Sequence, residues 1–244
     1  MRSTILFLLI ACILLACSKE QMDDCFTSTG RVAYEKRTLE PFTSAEIIGN
    51  YQLIWIEDTS NYIEIEAGTG LLEQIKTKVE FQKLTIENTN TCNWVRSYKI
   101  PVILKLHCSN LGRLRILGST ELSNRDSLRH DSIYIDLNQN AGAIDLNVSN
   151  TLLMIEQPTG GAEITASGRT EAFVFKSGER VGGNFLKLNA RWVEAISKSE
   201  IDTYVNASES LKLTTLAGGS IFYTGDAPQI ERSSFGEGSI SRIY

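Results

Sequence analysis

The stretch LLMIEQPTGGAEITASGRTEAFVFKSGERVGG, Leu152 to Gly183, holds two copies of one pattern. A short apolar run, Leu152-Leu153-Met154-Ile155 and then Phe173-Val174-Phe175, is followed by a glycine beside another short residue, Gly161-Ala162 and then Gly183-Asn184. Outward from this stretch the pair recurs at Gly118-Ser119, Gly142-Ala143, Gly219-Ser220 and Gly238-Ser239. The successive intervals are 24, 19, 22, 36 and 19, and the 36 reads as two steps of 18 with a corner lacking glycine near Glu200-Ile201. Further apolar runs precede the other corners, at Ile133-Tyr134-Ile135, Val193-Glu194-Ala195-Ile196 and Leu211-Lys212-Leu213. Each repeat unit is therefore expected to be two short strands joined at a glycine corner. Such a unit cannot bury its apolar face alone, whereas stacked copies build one continuous core. A β-solenoid satisfies this, with turns rising about 4.8 Å each.

The alternative is a β-sandwich of hairpins, which also shows regularly spaced turns. Asn-Gly and Asp-Gly hairpin turns are absent from the chain, and the repeats preserve a position within the unit, so the solenoid is favoured. Before the repeats, short alternating runs such as Ile63-Glu64-Ile65-Glu66, Leu84-Thr85-Ile86-Glu87 and Leu114-Arg115-Ile116-Leu117 read as less regular strands. One helical turn is expected at Leu71 to Ile75, after Gly68 and Gly70. The expected class is all-β, a parallel β-helix-like solenoid with irregular N-terminal strands. Its register is hardest to read at Ser127 to Ser132, where charge is dense, and at Glu200-Ile201.

The chain has 244 residues and a net charge of -5, with no basic block, so nucleic acid is not an expected partner. Only two histidines are present, His107 and His130, which disfavours histidine-rich metal sites and most hydrolytic triads. No catalytic residue, metal site or cofactor is expected.

The N-terminus carries an address. Arg2 precedes an unbroken apolar run from Ile5 to Leu15, too short to span a hydrocarbon core but suited to a secretory leader. Leu14-Leu15-Ala16-Cys17 resembles a bacterial lipobox, which implies lipid on Cys17 and a membrane anchor. The acidic stretch after it resembles the tether with which Bacteroidetes-type bacteria send lipoproteins to the cell surface; a plain solvated linker is the other reading. The expected organisation is a leader at 1–16, a tether at 17–24 and one domain at 25–244. The chain then reads as an outer-membrane lipoprotein, facing outward if the tether is an export signal.

Five cysteines occur, of which Cys12 lies in the leader and Cys17 is the lipid site. In KIPVILKLHC, Ile100, Val102, Leu104, Leu106 and Cys108 share one parity, which points Cys108 inward. Cys25 and Cys92 sit in polar surroundings and are the expected disulfide, with two free thiols as the alternative. A loop of that length would stabilise by roughly 4 kcal/mol in the chain-entropy view.

Several runs together carry a family resemblance: Cys25 to Gly30, Glu66-Ala67-Gly68 with Leu71-Leu72, Leu84 to Asn88, and above all Cys92-Asn93-Trp94-Val95-Arg96-Ser97-Tyr98-Lys99 before the glycine-punctuated repeats. The chain resembles the head GIN domain family, described as autotransporter adhesin heads and common among Bacteroidetes lipoproteins. The resemblance implies a right-handed β-helix-like fold, an envelope or surface location and an adhesive role, and it supplies no catalytic residues.

Asn93, Trp94, Arg96, Tyr98 and Lys99, with Asn90, form a candidate ligand patch, because sugars stack on aromatic rings while amide and guanidinium groups bind their hydroxyls. The competing reading makes the same residues a cap on the open solenoid end. Trp55 lies in Tyr51 to Ile56, apolar on both faces, and is expected to be buried. Asp136 and Glu156, one repeat length apart, could meet across turns, and solvated outward carboxylates are the favoured reading over a lyase-like pair. Asp126-Ser127-Leu128 and Asp131-Ser132-Ile133 resemble a Bacteroidetes O-glycosylation signal, making Ser127 and Ser132 candidate modification sites. The expected function is a non-enzymatic surface lipoprotein binding a glycan or an envelope protein. A polysaccharide lyase or hydrolase on the same scaffold, or a purely structural envelope component, are the alternatives.

Overall fold

A computed structural model describes residues 30–89 and 101–243. The strands run in chain order as β1 (Val32–Thr38), β2 (Ser44–Ile48), β3 (Gln52–Glu57), β4 (Tyr62–Gly68), β5 (Ile75–Glu80), β6 (Lys83–Asn88), β7 (Ile103–Cys108), β8 (Arg113–Leu117) and β9 (Glu121–Asn124). The repeat region supplies β10 (Ser132–Asn140), β11 (Ile144–Gly160), β12 (Ile164–Ser177), β13 (Gly183–Asn184), β14 (Leu188–Ser197), β15 (Thr203–Thr215), β16 (Ile221–Thr224), β17 (Gln229–Ser234) and β18 (Ile240–Arg242). One helical turn, α1 (Thr69–Leu72), begins slightly before the expected position.

The strands stack as a β-solenoid with two parallel columns. One column passes from β8 through β10, the second half of β11, the second half of β12, β14, the second half of β15 and β17. The other passes from β9 through the first halves of β11 and β12, β13, β15, β16 and β18. Alternation sends every second side chain inward. Ile135, Ile155, Phe175, Ala195 and Leu213 are register partners on successive rungs and all are buried. Phe173 and Phe175 also meet Phe185, with ring centroids 4.6 and 4.8 Å away, so the core is aromatic where the repeats are most regular.

The corner positions stack to within a few residues of the spacing. A Cβ on Gly238 would meet Gly219 and one on Gly219 would meet Ile201, whereas Gly142 lies against Thr120 and Gly183 pairs inside β13 with Ile164. The corner without glycine falls at Glu200-Ile201: Thr203 just beyond it pairs with Gly183 on one side and Ile221 on the other. The charged segment before β10 is equally regular, because Leu128 bridges to Val148 and Ser149 N–H donates to the Leu128 carbonyl at 2.8 Å. The expectation of two short strands per unit needs correction. Only the glycine corner interrupts the strand; β11, β12 and β15 bend through the opposite corner and continue, over 17, 14 and 13 residues. The bend keeps its backbone ladder because a side chain serves the local carbonyl. Asn150 donates to the Leu152 carbonyl at 2.9 Å, and one rung on Thr170 donates to that of Ala172 at 3.0 Å.

The N-terminal turns stack out of chain order. β2 lies between β6 and β8, and β3 between β7 and β9, so the first turn in sequence is the second in space. The excursion between β3 and β6 supplies antiparallel strands that cover this end: β4 pairs with β7 and β1, and β5 with β6. Arg37 fastens them, donating to the carbonyls of Leu72 and Ile75 while the Glu35 carboxylate grips it at 2.8 and 2.7 Å. That bond holds the Glu35 carboxyl below its usual range. At the far end Arg232 is the register partner of buried Leu213 and lies over the Tyr223 ring, 5.1 Å from its centroid. A charge at an inward position ends the core and blunts the open edge.

Candidate functional site

The corner through which β11, β12 and β15 bend is concave outside. Corner residues from five successive rungs line a groove of about 550 Å³, running from Arg129 and Asp131 to Asn206 and Ser208. Five rungs at about 4.8 Å spacing make it roughly 19 Å long, parallel to the solenoid axis.

Register sorts its side chains into files. Arg129, Ser149, Arg169 and Asn189 form one, and Asp131, Thr151, Glu171 and Arg191 another. In the first, Arg169 Nε donates to Ser149 Oγ at 2.9 Å and Asn189 Oδ1 accepts from Asn206 Nδ2 at 3.1 Å. In the second, Arg191 is clamped by Glu171 at 2.6 Å and Glu209 at 2.7 Å. Glu209 reaches it because the β14–β15 ladder slips between Ala190 and Trp192, setting Ser208 and Glu209 opposite the single Arg191. The hydrogen bonds that Arg191 donates to Glu209 and then to Glu171 push its pKa further up, so the guanidinium is permanently charged. The pairs are solvent-exposed and contribute little to stability; their effect is to fix Arg191.

Arg191 in turn lies over the indole of Trp192, 4.6 Å from the ring centroid. Trp192 points outward and is 44% exposed at the edge of the groove. On the same outer face Leu152 and Ala172 are its in-register neighbours, with Tyr134, Met154 and Val174 one outward position along. A polar trough thus runs beside a half-exposed apolar strip carrying an indole and a phenol.

The profile of the family described as "Putative auto-transporter adhesin, head GIN domain" matches residues 41–227. The chain belongs to that family. Three solved structures share the head GIN fold seen here. They are a "putative adhesin" from Bacteroides fragilis (21% identity, TM-score 0.79, 87% of this chain and 97% of that one), a "putative lipid binding protein" from Parabacteroides distasonis (17%, 0.68, 89% and 98%) and a "putative adhesin" from Parabacteroides merdae (14%, 0.61, 89% and 98%). No curated protein matches the chain. Family and neighbours are described as adhesins or lipid-binding proteins, not as enzymes.

Cys17, Cys25, Cys92 and the patch of Asn90, Asn93, Trp94, Arg96, Tyr98 and Lys99 lie outside the described residues. Ser127 and Ser132 are both half-exposed, at the corner that forms one end of the groove. Trp55 is buried, as is Cys108, whose thiol is pushed up to about 12, chiefly by burial. Asp136 and Glu156 are register partners, each facing a cation: Arg115 at 3.3 Å and Lys176 at 2.6 Å. The two carboxylates thus lie side by side between the two cations on the outward face. His107 Nδ1 lies 3.0 Å from Asp58 Oδ2 under the stacked Tyr62 ring, and the hydrogen bond holds the Asp58 carboxyl low. Among the described residues no hydroxyl or thiol is hydrogen-bonded to that imidazole, and no three metal-ligating side chains converge.

Sequence reasoning missed the groove. A partial signal existed in Arg191-Trp192-Val193, since Val193 and Ala195 face inward and alternation therefore turns Trp192 out.

Proposed function

We propose that this head GIN domain is a non-enzymatic surface lipoprotein that holds a glycan chain in the corner groove, laid along the solenoid axis. The observation that carries the reading is Trp192, half-exposed and steadied by Arg191 beside guanidinium, amide, hydroxyl and carboxylate groups repeated on successive rungs. An indole face takes the apolar side of a pyranose, while the groove groups exchange hydrogen bonds with its hydroxyls. A linear trough suits a polymer better than a compact ligand. Lipid on Cys17 and the acidic tether supply the anchor in this reading, and the adhesin description of the family supports display at the surface.

The test is binding of the full chain to a panel of polysaccharides, with Trp192→Ala as the variant. Losing a stacked ring weakens binding by about tenfold. Because the indole is half-buried its loss also costs about 1–2 kcal/mol of stability, so binding is compared at a temperature where both proteins are folded. Equal binding by the variant would place the ligand elsewhere, and release of reducing ends or unsaturated products would replace the reading with an enzyme. Protease shaving of intact cells tests location: a protein that resists until the envelope is broken is no adhesin.

A further inference from the structure

We infer that the groove selects an acidic polysaccharide carrying one anionic group on every second sugar. This rests on the groove being the glycan site and adds which glycan enters it. The groove contains three arginines in two different states. Arg191 is committed to Glu171 and Glu209. Among the described residues no carboxylate forms an ion pair with the guanidinium of Arg129 or Arg169, and both residues are exposed. Glu57, which reaches this corner, spends its carboxylate on the backbone N–H groups of Arg129 and His130, at 2.7 and 2.9 Å.

Their spacing is set by the fold. Arg129 stacks on Ser149, and Ser149 is the register partner of Arg169, so the two guanidinium groups lacking a carboxylate belong to one file two rungs apart. Two rungs span about 10 Å. An extended saccharide flips successive rings and restores its orientation every second sugar, a repeat of similar length. A carboxylate or sulfate on alternate sugars would meet Arg129 and then Arg169, while the sugar between them faces Ser149. Guanidinium is suited to this task because its planar fork binds either anion through paired hydrogen bonds. The net charge of -5 is no obstacle at this range, since long-range repulsion is screened beyond about 8 Å at physiological salt.

The test titrates the full chain with hyaluronate, which carries one carboxylate on every second sugar, kappa-carrageenan, which carries one sulfate on every second sugar, a neutral polysaccharide of matched length and a single-stranded oligonucleotide. The variants are Arg129→Gln, Arg169→Gln, the double variant and Trp192→Ala. The inference expects an acidic polysaccharide to bind more tightly than the neutral one and to weaken as salt is raised. Each single arginine variant loses about tenfold in affinity for it, with an unchanged melting temperature. Preference for hyaluronate or for kappa-carrageenan identifies carboxylate or sulfate as the anion. If the neutral polymer binds as well, depends on Trp192 and ignores both arginines, the acidic selection is overturned while the glycan reading stands. Binding of no polysaccharide overturns both. An oligonucleotide bound as tightly, with the same arginine dependence, overturns the inference in favour of indifferent polyanion binding.

Discussion

Phe81 and Gln82 join β5 to β6, with Glu80 and Lys83 paired across the turn. Both have positive φ, 50° and 60°, which makes this a two-residue type I′ hairpin built without glycine or asparagine. A left-handed conformation costs an ordinary residue about 1–2 kcal/mol. Neither side chain offsets this through burial, since Phe81 is 103% exposed and Gln82 is also exposed. The backbone contribution, Thr43 N–H donating to the Gln82 carbonyl at 2.9 Å, survives any side-chain change. Replacing the pair by Phe81→Asn with Gln82→Gly relieves roughly 2 kcal/mol in the folded state. Glycine returns about 0.5–1 kcal/mol through the greater freedom of the unfolded chain. The double variant should therefore gain about 1 kcal/mol, which for a domain of this size raises Tm by about 2–4 °C. Differential scanning calorimetry reads this directly, with Gln82→Ala as the control that should gain nothing. An unchanged or lower Tm for the double variant, or an equal gain for the control, would refute the assignment of strain to this turn.

Two glycines, one beside the groove and one at the opposite corner, should behave oppositely. Gly168 has φ +97° and a Cβ there would run into the Val148 carbonyl, so Gly168→Ala should cost about 2 kcal/mol or more in urea unfolding, whereas Gly161, with open space around it, should accept alanine almost neutrally. The Asp58 carboxyl is held below its ordinary 3.8 by the His107 hydrogen bond, so its stabilisation is complete above that value and is lost as pH falls through the lowered one. Asp58→Asn should flatten the acid limb of Tm against pH and leave the neutral region nearly parallel. Cys108, buried with its thiol pushed up to about 12, should resist iodoacetamide in the native protein and react once it is unfolded.

The solenoid was legible because its determinants are local. Inward apolar runs and glycine corners recur within one unit, and the interval of 36 between Gly183 and Gly219 located the corner at Glu200-Ile201 that has no glycine to mark it. The continuous bend of β11 and β12 was not legible. Asn150 and Thr170 read as ordinary polar loop residues until their bonds to the carbonyls of Leu152 and Ala172 are seen to hold the corner. The β5–β6 hairpin escaped for a related reason, since Phe81-Gln82 carries no turn chemistry that a sequence rule would recognise.

By itself, the sequence determined the class of fold, the coil length and which residues face the core, since alternation and repeat spacing depend on near neighbours along the chain. Tertiary structure alone decided that the first turn, β2–β3, stacks between β6–β7 and β8–β9, because a long excursion leaves the stacking order open until the antiparallel strands close the end. It also decided the groove. Arg129 and Arg169 stand two repeats apart in the chain, and only register places them in one file, as only the slip in β15 brings Glu209 to Arg191.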